Sequence, residues 1–251
     1  MVGSDLTLDH IAIGMERISD APAFLVGVLG GVSGYGGPTG EYKFWNWDYP
    51  GGGQLEILEP EGPPGGFLHR FLERGGPGIH HITFHVDELG PICERARAAG
   101  HTVLDGRASD GGYAEAFLHP KTAMGVVVQL TKTHDTDNAD HEAGVPGMDR
   151  PVEPAAAQPA ARVLGLRMCA TDRARALRQW RDLLGGRLVL DHPDELIFHW
   201  QSPGMRVRVR LDPAGADRSE AIEVADPPGP VPSDPVPLLC VRFDVVTGAG
   251  S

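Results

Sequence analysis

Two pairs of segments place histidine and acidic or amide side chains at matching positions. The first pair is Asp9-His10-Ile11-Ala12-Ile13 and Gln54-Leu55-Glu56-Ile57-Leu58; the second is Ile79-His80-His81-Ile82-Thr83-Phe84-His85 and Val126-Val127-Val128-Gln129-Leu130. All four alternate or are β-rich in the manner of strands, so residues two apart share a face. His10 then lies with Ala12, Glu56 with Gln54 and Leu58, His81 with Thr83 and His85, and Gln129 with Val127. Each pair offers one histidine and one Glu or Gln. Pseudo-twofold packing would bring His10, Glu56, His81 and Gln129 into one cavity. Two imidazoles, a carboxylate and an amide oxygen suit a divalent ion, Zn, Ni, Co, Mn or Fe, and the ligand set does not choose among these. A lone strand histidine is ordinarily a hydrogen-bonded core residue. Equivalent position, matching parity and an acidic or amide partner set His10 and His81 apart, whereas His80 points the other way and reads as structural. His85, ~13 Å along the strand from His81 at ~3.3 Å per residue, is out of reach of the same ion.

The elements that must hold these residues repeat. Residues 6–13 read as a strand, 19–29 as a helix stopped by Gly30-Gly31, and 41–48 and 54–59 as two strands around Tyr49-Pro50-Gly51-Gly52-Gly53, with a short helix over 66–74. The pattern restarts with a strand at 79–86, a helix at 89–99, and strands at 102–104, 114–118 and 126–131. Two βαβββ modules therefore account for residues 5–132. Residues 133–161, rich in Asp, Ala and Pro, read as a flexible linker. A third module follows, with a strand at 163–169, a helix at 172–184 and a strand after Glu195. Leu238–Val245 looks like the opening strand of a fourth. The expected division is 5–132 with the metal site, 133–161 as linker, and 162–251 as an incomplete, metal-free second domain of the third module plus one strand. Trp45 and Trp47 share a face on one strand and read either as a substrate wall or as core packing.

Composition narrows the function. The chain has 251 residues, 22 Lys plus Arg against 34 Asp plus Glu, and a net charge of −12. Such an acidic balance argues against a nucleic-acid phosphate binder. Three scattered cysteines exclude a disulfide framework or a cysteine-based zinc site, and no apolar run of ~18 residues reads as a membrane span. A reduced, cytoplasmic location is the expectation, with a small-molecule substrate, no nucleic-acid or membrane partner, and a possible homodimer.

The segments Asp9-His10-Ile11-Ala12-Ile13, Gly78-Ile79-His80-His81-Ile82-Thr83-Phe84-His85-Val86-Asp87 and the run from Phe117-Leu118-His119-Pro120-Lys121 to Gly125-Val126-Val127-Val128-Gln129-Leu130 resemble the vicinal oxygen chelate superfamily. That superfamily includes glyoxalase I, bleomycin-resistance proteins, extradiol dioxygenases and methylmalonyl-CoA epimerase. The resemblance covers about residues 5–132 and is strongest to the epimerases. It implies an α+β glyoxalase-like fold of tandem βαβββ modules, with curved mixed sheets flanked by helices. It also implies metal ligands at His10, Glu56, His81 and Gln129, and a second acid/base position at Lys43. The epimerases carry Glu where this chain has Gln129; an amide oxygen can still ligate, but a neutral amide accepts no proton. Glu56 is then the ligand able to shuttle one. The expected activity is isomerase, epimerase or lyase chemistry through a metal-stabilised enolate on a small carbonyl or acyl-thioester substrate, with Glu56, Gln129 and Lys43 as catalytic candidates. Alternatives are a non-catalytic, bleomycin-resistance-like binding protein and an extradiol-type dioxygenase. The third module has Leu166 near the place of His10 and Arg208-Val209-Arg210 near that of Glu56, so no ligand set is expected there. Its Arg206, Arg208 and Arg210 form a basic stripe.

Overall fold

A computed structural model describes residues 6–108, 113–132, 148–201 and 204–247. The first module consists of β1 (Thr7–Gly14), α1 (Pro22–Leu25), β2 (Val32–Pro38), β3 (Tyr42–Asp48), β4 (Gln54–Pro60) and α2 (Phe67–Gly75). The second consists of β5 (Gly78–His85), α3 (Leu89–Ala98), β6 (Val103–Ala108), β7 (Ala114–Leu118) and β8 (Val127–Lys132). These eight strands form one sheet in the order β2-β3-β4-β1-β5-β8-β7-β6. In each module the last strand returns parallel to the first, Ala12 opposite Glu56 and Thr83 opposite Gln129, while the strands between them run antiparallel. From His10 onward both faces of β1 are buried, which fits the apolar run Ile11–Ile13, and His10 is the buried polar residue of the strand.

A second sheet takes the remaining strands: β9 (Arg162–Ala170), β10 (Arg187–His192), β11 (Glu195–His199), β12 (Arg206–Leu211), β13 (Arg218–Ala225) and β14 (Phe243–Val245), in the order β10-β11-β12-β9-β13-β14. Between β9 and β10 lies α4 (Arg173–Ala176), capped by the Asp172 carboxylate accepting from the amides of Ala174 and Arg175, and continued by a π-helical stretch, Leu177–Leu183. The expected opening strand of a fourth module is corrected. β13 lies beside β9 and β14 pairs parallel to β13, as β8 does to β5, so the third module is followed by two strands. Leu238 and Cys240 take left-handed backbone angles, φ 69° and 50°, which keep 238–240 out of a strand.

Contacts group the chain into two compact units that interleave in sequence. One comprises Met1–His10, His81–Asp137 and Gly165–Glu220. Its core joins Phe84 to Trp200 (ring centroids 5.2 Å apart) and Trp200 to Trp180 (6.4 Å). Gly125, at φ 84°, sits so close to the carbonyl of Asp217 that no Cβ fits between them. The other comprises Ile11–His80, Asn138–Leu164 and Ala221–Ser251. In it Phe24 packs on Phe243 at 4.8 Å, and Ala12, Leu58 and Leu68 are surrounded by Tyr42, Phe44, Phe67 and Phe71. The region read as a flexible linker lies over 133–147 outside the described residues. Further on it is held down: the amides of Ala157 and Ala161 donate to the carbonyls of Val26 and Leu29, and Trp47 Nε1 donates to Glu153 at 2.7 Å.

Candidate metal centre

His10 sits at mid-strand on β1, Glu56 on β4 and His81 on β5. One ligand atom from each lies within 4.8 Å of the other two. All three are at least nine-tenths buried: His10 is 7 % exposed, Glu56 8 % and His81 4 %. Donors held ~2.1 Å from one ion can be no more than ~4.2 Å apart, so this spacing is within a small side-chain adjustment of a ligand set. A carboxylate and two imidazoles converging in a buried place also match the chemistry of a divalent ion, which takes oxygen and nitrogen donors together. The residues therefore fit the group the sequence implied.

Neighbouring side chains orient these donors. Asp9 Oδ2 lies 2.6 Å from His10 Nδ1, and Asp9 Oδ1 lies 3.1 Å from His85 Nε2. Burial pushes the Asp9 carboxyl up, but hydrogen bonding and charge from His10 and His85 outweigh it and hold the group far below the usual carboxylate range. An ionised carboxylate can only accept, so His10 presents a protonated Nδ1 to Asp9, and a metal at Nε2 would replace the contact that this nitrogen makes with Thr83. The His10 and His81 rings meet edge to face at 5.7 Å. Thr83 Oγ1 lies 2.9 Å from His10 Nε2 and donates to the Gln129 carbonyl oxygen at 2.7 Å. Gln129 Nε2 in turn donates to Glu115 Oε2 (2.8 Å), which also accepts from the Tyr113 hydroxyl (2.7 Å). Gln129 is thus tied to His10 through Thr83, with its amide orientation fixed from both ends.

Lys43 is not brought there. It pairs with Glu59 across β3–β4, its Nζ 3.4 Å from Glu59 Oε1, and strand alternation puts it on the face opposite Asn46 and Glu56. Its assignment as an acid/base group is corrected by this parity. Trp45 and Trp47 share Lys43's parity and are buried, donating to Ser33 Oγ and Glu153, so they serve as packing. His80 packs on Phe67 and Phe71, and burial lowers its pKa to about 4, as befits a neutral structural imidazole. Sequence reasoning missed Asp9, Thr83, Glu115 and Asn46. Thr83 stands two residues from His81 and was open to the same parity argument, whereas Asp9 has the opposite parity to its neighbour His10; Glu115 and Asn46 depend on cross-strand register.

A domain built from paired βαβββ modules around two histidines and a carboxylate defines the class of protein. The chain belongs to the glyoxalase, bleomycin-resistance protein and dioxygenase superfamily, whose model matches residues 9–117. It is 30% identical over 141 residues to the uncharacterised protein YqjC of Bacillus subtilis, covering 54% of this chain and 98% of that one. It is also 30% identical over 132 residues to the mitochondrial methylmalonyl-CoA epimerase of Bos taurus, covering 49% of this chain and 72% of that enzyme. In fold it is similar to a Mn(II)-bound glyoxalase from Novosphingobium aromaticivorans, with a TM-score of 0.57 at 12% identity over 89% of this chain and 66% of the other. Among the described residues, no helix is long and apolar enough to cross a membrane.

Proposed function

We propose that the protein is a metal-dependent enzyme with isomerase, epimerase or lyase chemistry on a small carbonyl or acyl-thioester substrate. The observation that carries this reading is the buried His10–Glu56–His81 cluster. His10, Glu56 and His81 would hold the ion, with the Gln129 oxygen as a fourth donor. The bound ion would supply Lewis-acid polarisation of a substrate oxygen, which acidifies the adjacent C–H. Asp9 keeps His10 in the tautomer that ligation needs. Glu56 is the ligand able to accept a proton, because the Gln129 amide is not basic. Thr83 and Glu115 hold that amide by its two ends, and the surrounding apolar strands exclude water. Epimerase-like relatives support the reaction class, and the Mn(II)-bound structural neighbour supports the metal.

The test is solvent deuterium exchange at the α-carbon of small acyl-CoA thioesters and 2-hydroxycarbonyl compounds. Protein reconstituted with Co(II) or Mn(II) is expected to exchange the α-proton, and chelation or Glu56→Gln to abolish the exchange. Stoichiometric metal without exchange on any of these compounds would overturn the enzymatic reading and leave a binding protein.

A further inference from the structure

Asn46 lies directly opposite Glu56 in the antiparallel β3–β4 pair, so the two side chains project from the same face of the sheet. It is 1 % exposed, and neither its Oδ1 nor its Nδ2 has a hydrogen-bond partner. Native interiors satisfy nearly every buried amide, and an orphaned one marks either a site awaiting a partner or a costly defect. An apolar side chain would fill this position without that cost. The flanking residues of β3, Trp45 and Trp47, find partners for their ring nitrogens, so the strand is not short of polar solutions elsewhere.

We infer that Asn46 is a ligand-holding residue, which binds an uncharged group that both donates and accepts hydrogen bonds beside Glu56. The inference rests on the reading that Glu56 belongs to the metal centre. Nδ2 donates and Oδ1 accepts, so a hydroxyl, enol or hydroxamic N–OH satisfies both atoms at once. A free carboxylate satisfies Nδ2 alone; its charge then faces Oδ1 and the Glu56 carboxylate. The substrate class is thereby narrowed toward carbonyl compounds that bear a neutral hydroxyl near the polarised oxygen and away from malonyl-type acids. Sites built to pair a substrate hydroxyl reject analogues that lack it far better than apolar pockets discriminate by size.

The test uses the full chain with acetohydroxamic acid, added uncharged near pH 7, as the neutral probe and malonate as the charged one. Binding to Co(II)-loaded protein is followed by visible absorption, and thermal unfolding is measured on metal-free protein. Wild type is expected to bind acetohydroxamic acid more tightly than malonate. Asn46→Leu should weaken acetohydroxamic acid at least about tenfold and change malonate less than about twofold. Its metal-free melting temperature should equal or exceed that of wild type, because an unpaired amide has been removed. A fall in melting temperature of more than about 5 °C would make Asn46 structural and overturn the inference. Unchanged affinity for acetohydroxamic acid would overturn it as well. Should Asn46→Leu fail to fold, Asn46→Ala carries the same two readings. Failure of Co(II) to bind the wild type sinks the metal reading instead, and the metal-free melting comparison still decides whether Asn46 is structural.

Discussion

The two sheets are built on the same strand plan yet carry opposite chemistry on their middle strands. In the first, β1 and β4 pair in parallel with Ala12 opposite Glu56, two residues beyond His10. In the second, β9 and β12 pair in parallel with Arg167 opposite Arg208 and Gly165 opposite Arg206. Val207 and Val209 fill the buried face, while Arg206, Arg208 and Arg210 stand on the other. These arginines are not a bare basic stripe. Arg208 pairs with Glu195 at 2.9 Å, and Arg210 with Glu220 at 2.8 Å and Asp212 at 3.0 Å; Arg167 and Arg218 also reach Glu220. Glu220 is held below its ordinary pKa, first by the hydrogen bond from Arg210, against the opposing effect of burial. One strand plan thus supports two solutions. The first sheet gathers two imidazoles and a carboxylate, donors that a divalent ion would take, whereas the second pairs its carboxylates with guanidinium groups of its own.

The difference gives several ways to break the account. The largest effect is expected from His81→Ala or His10→Ala, each of which should cost at least about 100-fold in Co(II) affinity, while Arg208→Ala leaves that affinity unchanged; isothermal titration checks both. Trp180→Ala, which empties the core behind the second module, should destabilise the chain by about 3–5 kcal/mol in denaturant unfolding. Asp9→Asn should lower Co(II) affinity about 10–100-fold with the fold intact, because His10 loses the carboxylate that fixes its tautomer. Gly125→Ala should cost at least about 1–2 kcal/mol, since the residue has a positive φ and no room against Asp217. If its unfolding free energy were unchanged, the second and third modules would not be in such close contact. The smallest effect belongs to Arg208→Ala, about 0–1 kcal/mol, because the Arg208–Glu195 pair is partly solvated.

Much of this was legible in the sequence. The alternation of residues 6–13 and 79–86 marked two strands with His10 and His81 at matching places, and these segments are β1 and β5. Other elements escaped for identifiable reasons. β2 runs through Val32-Ser33-Gly34-Tyr35-Gly36-Gly37-Pro38, a composition that reads as loop, and is held by its register on β3. The helix expected over 19–29 is cut to four α-helical residues, Pro22–Leu25, preceded by a 3-10 turn, Ile18–Asp20. Arg218–Ala225 carries Arg218, Glu220 and Glu223 among its apolar residues, which hides the strand, whereas Leu238–Val245 reads as strand throughout but is turn over 238–240 before β14. Lys43 failed because its assignment came from resemblance, and the pairing of β3 with β4 put it on the wrong face. Asn46 was invisible because nothing local marks it: only the cross-strand register brings it beside Glu56.

The central claim is that the first sheet holds one divalent ion through His10, Glu56 and His81. Titration of metal-stripped protein with Co(II), followed by its visible absorption, tests this most directly. The account predicts saturation at one equivalent per chain in wild type and in Arg208→Ala, and loss of the absorption in His81→Ala. Absence of binding in wild type, or a spectrum unchanged by His81→Ala, would contradict it.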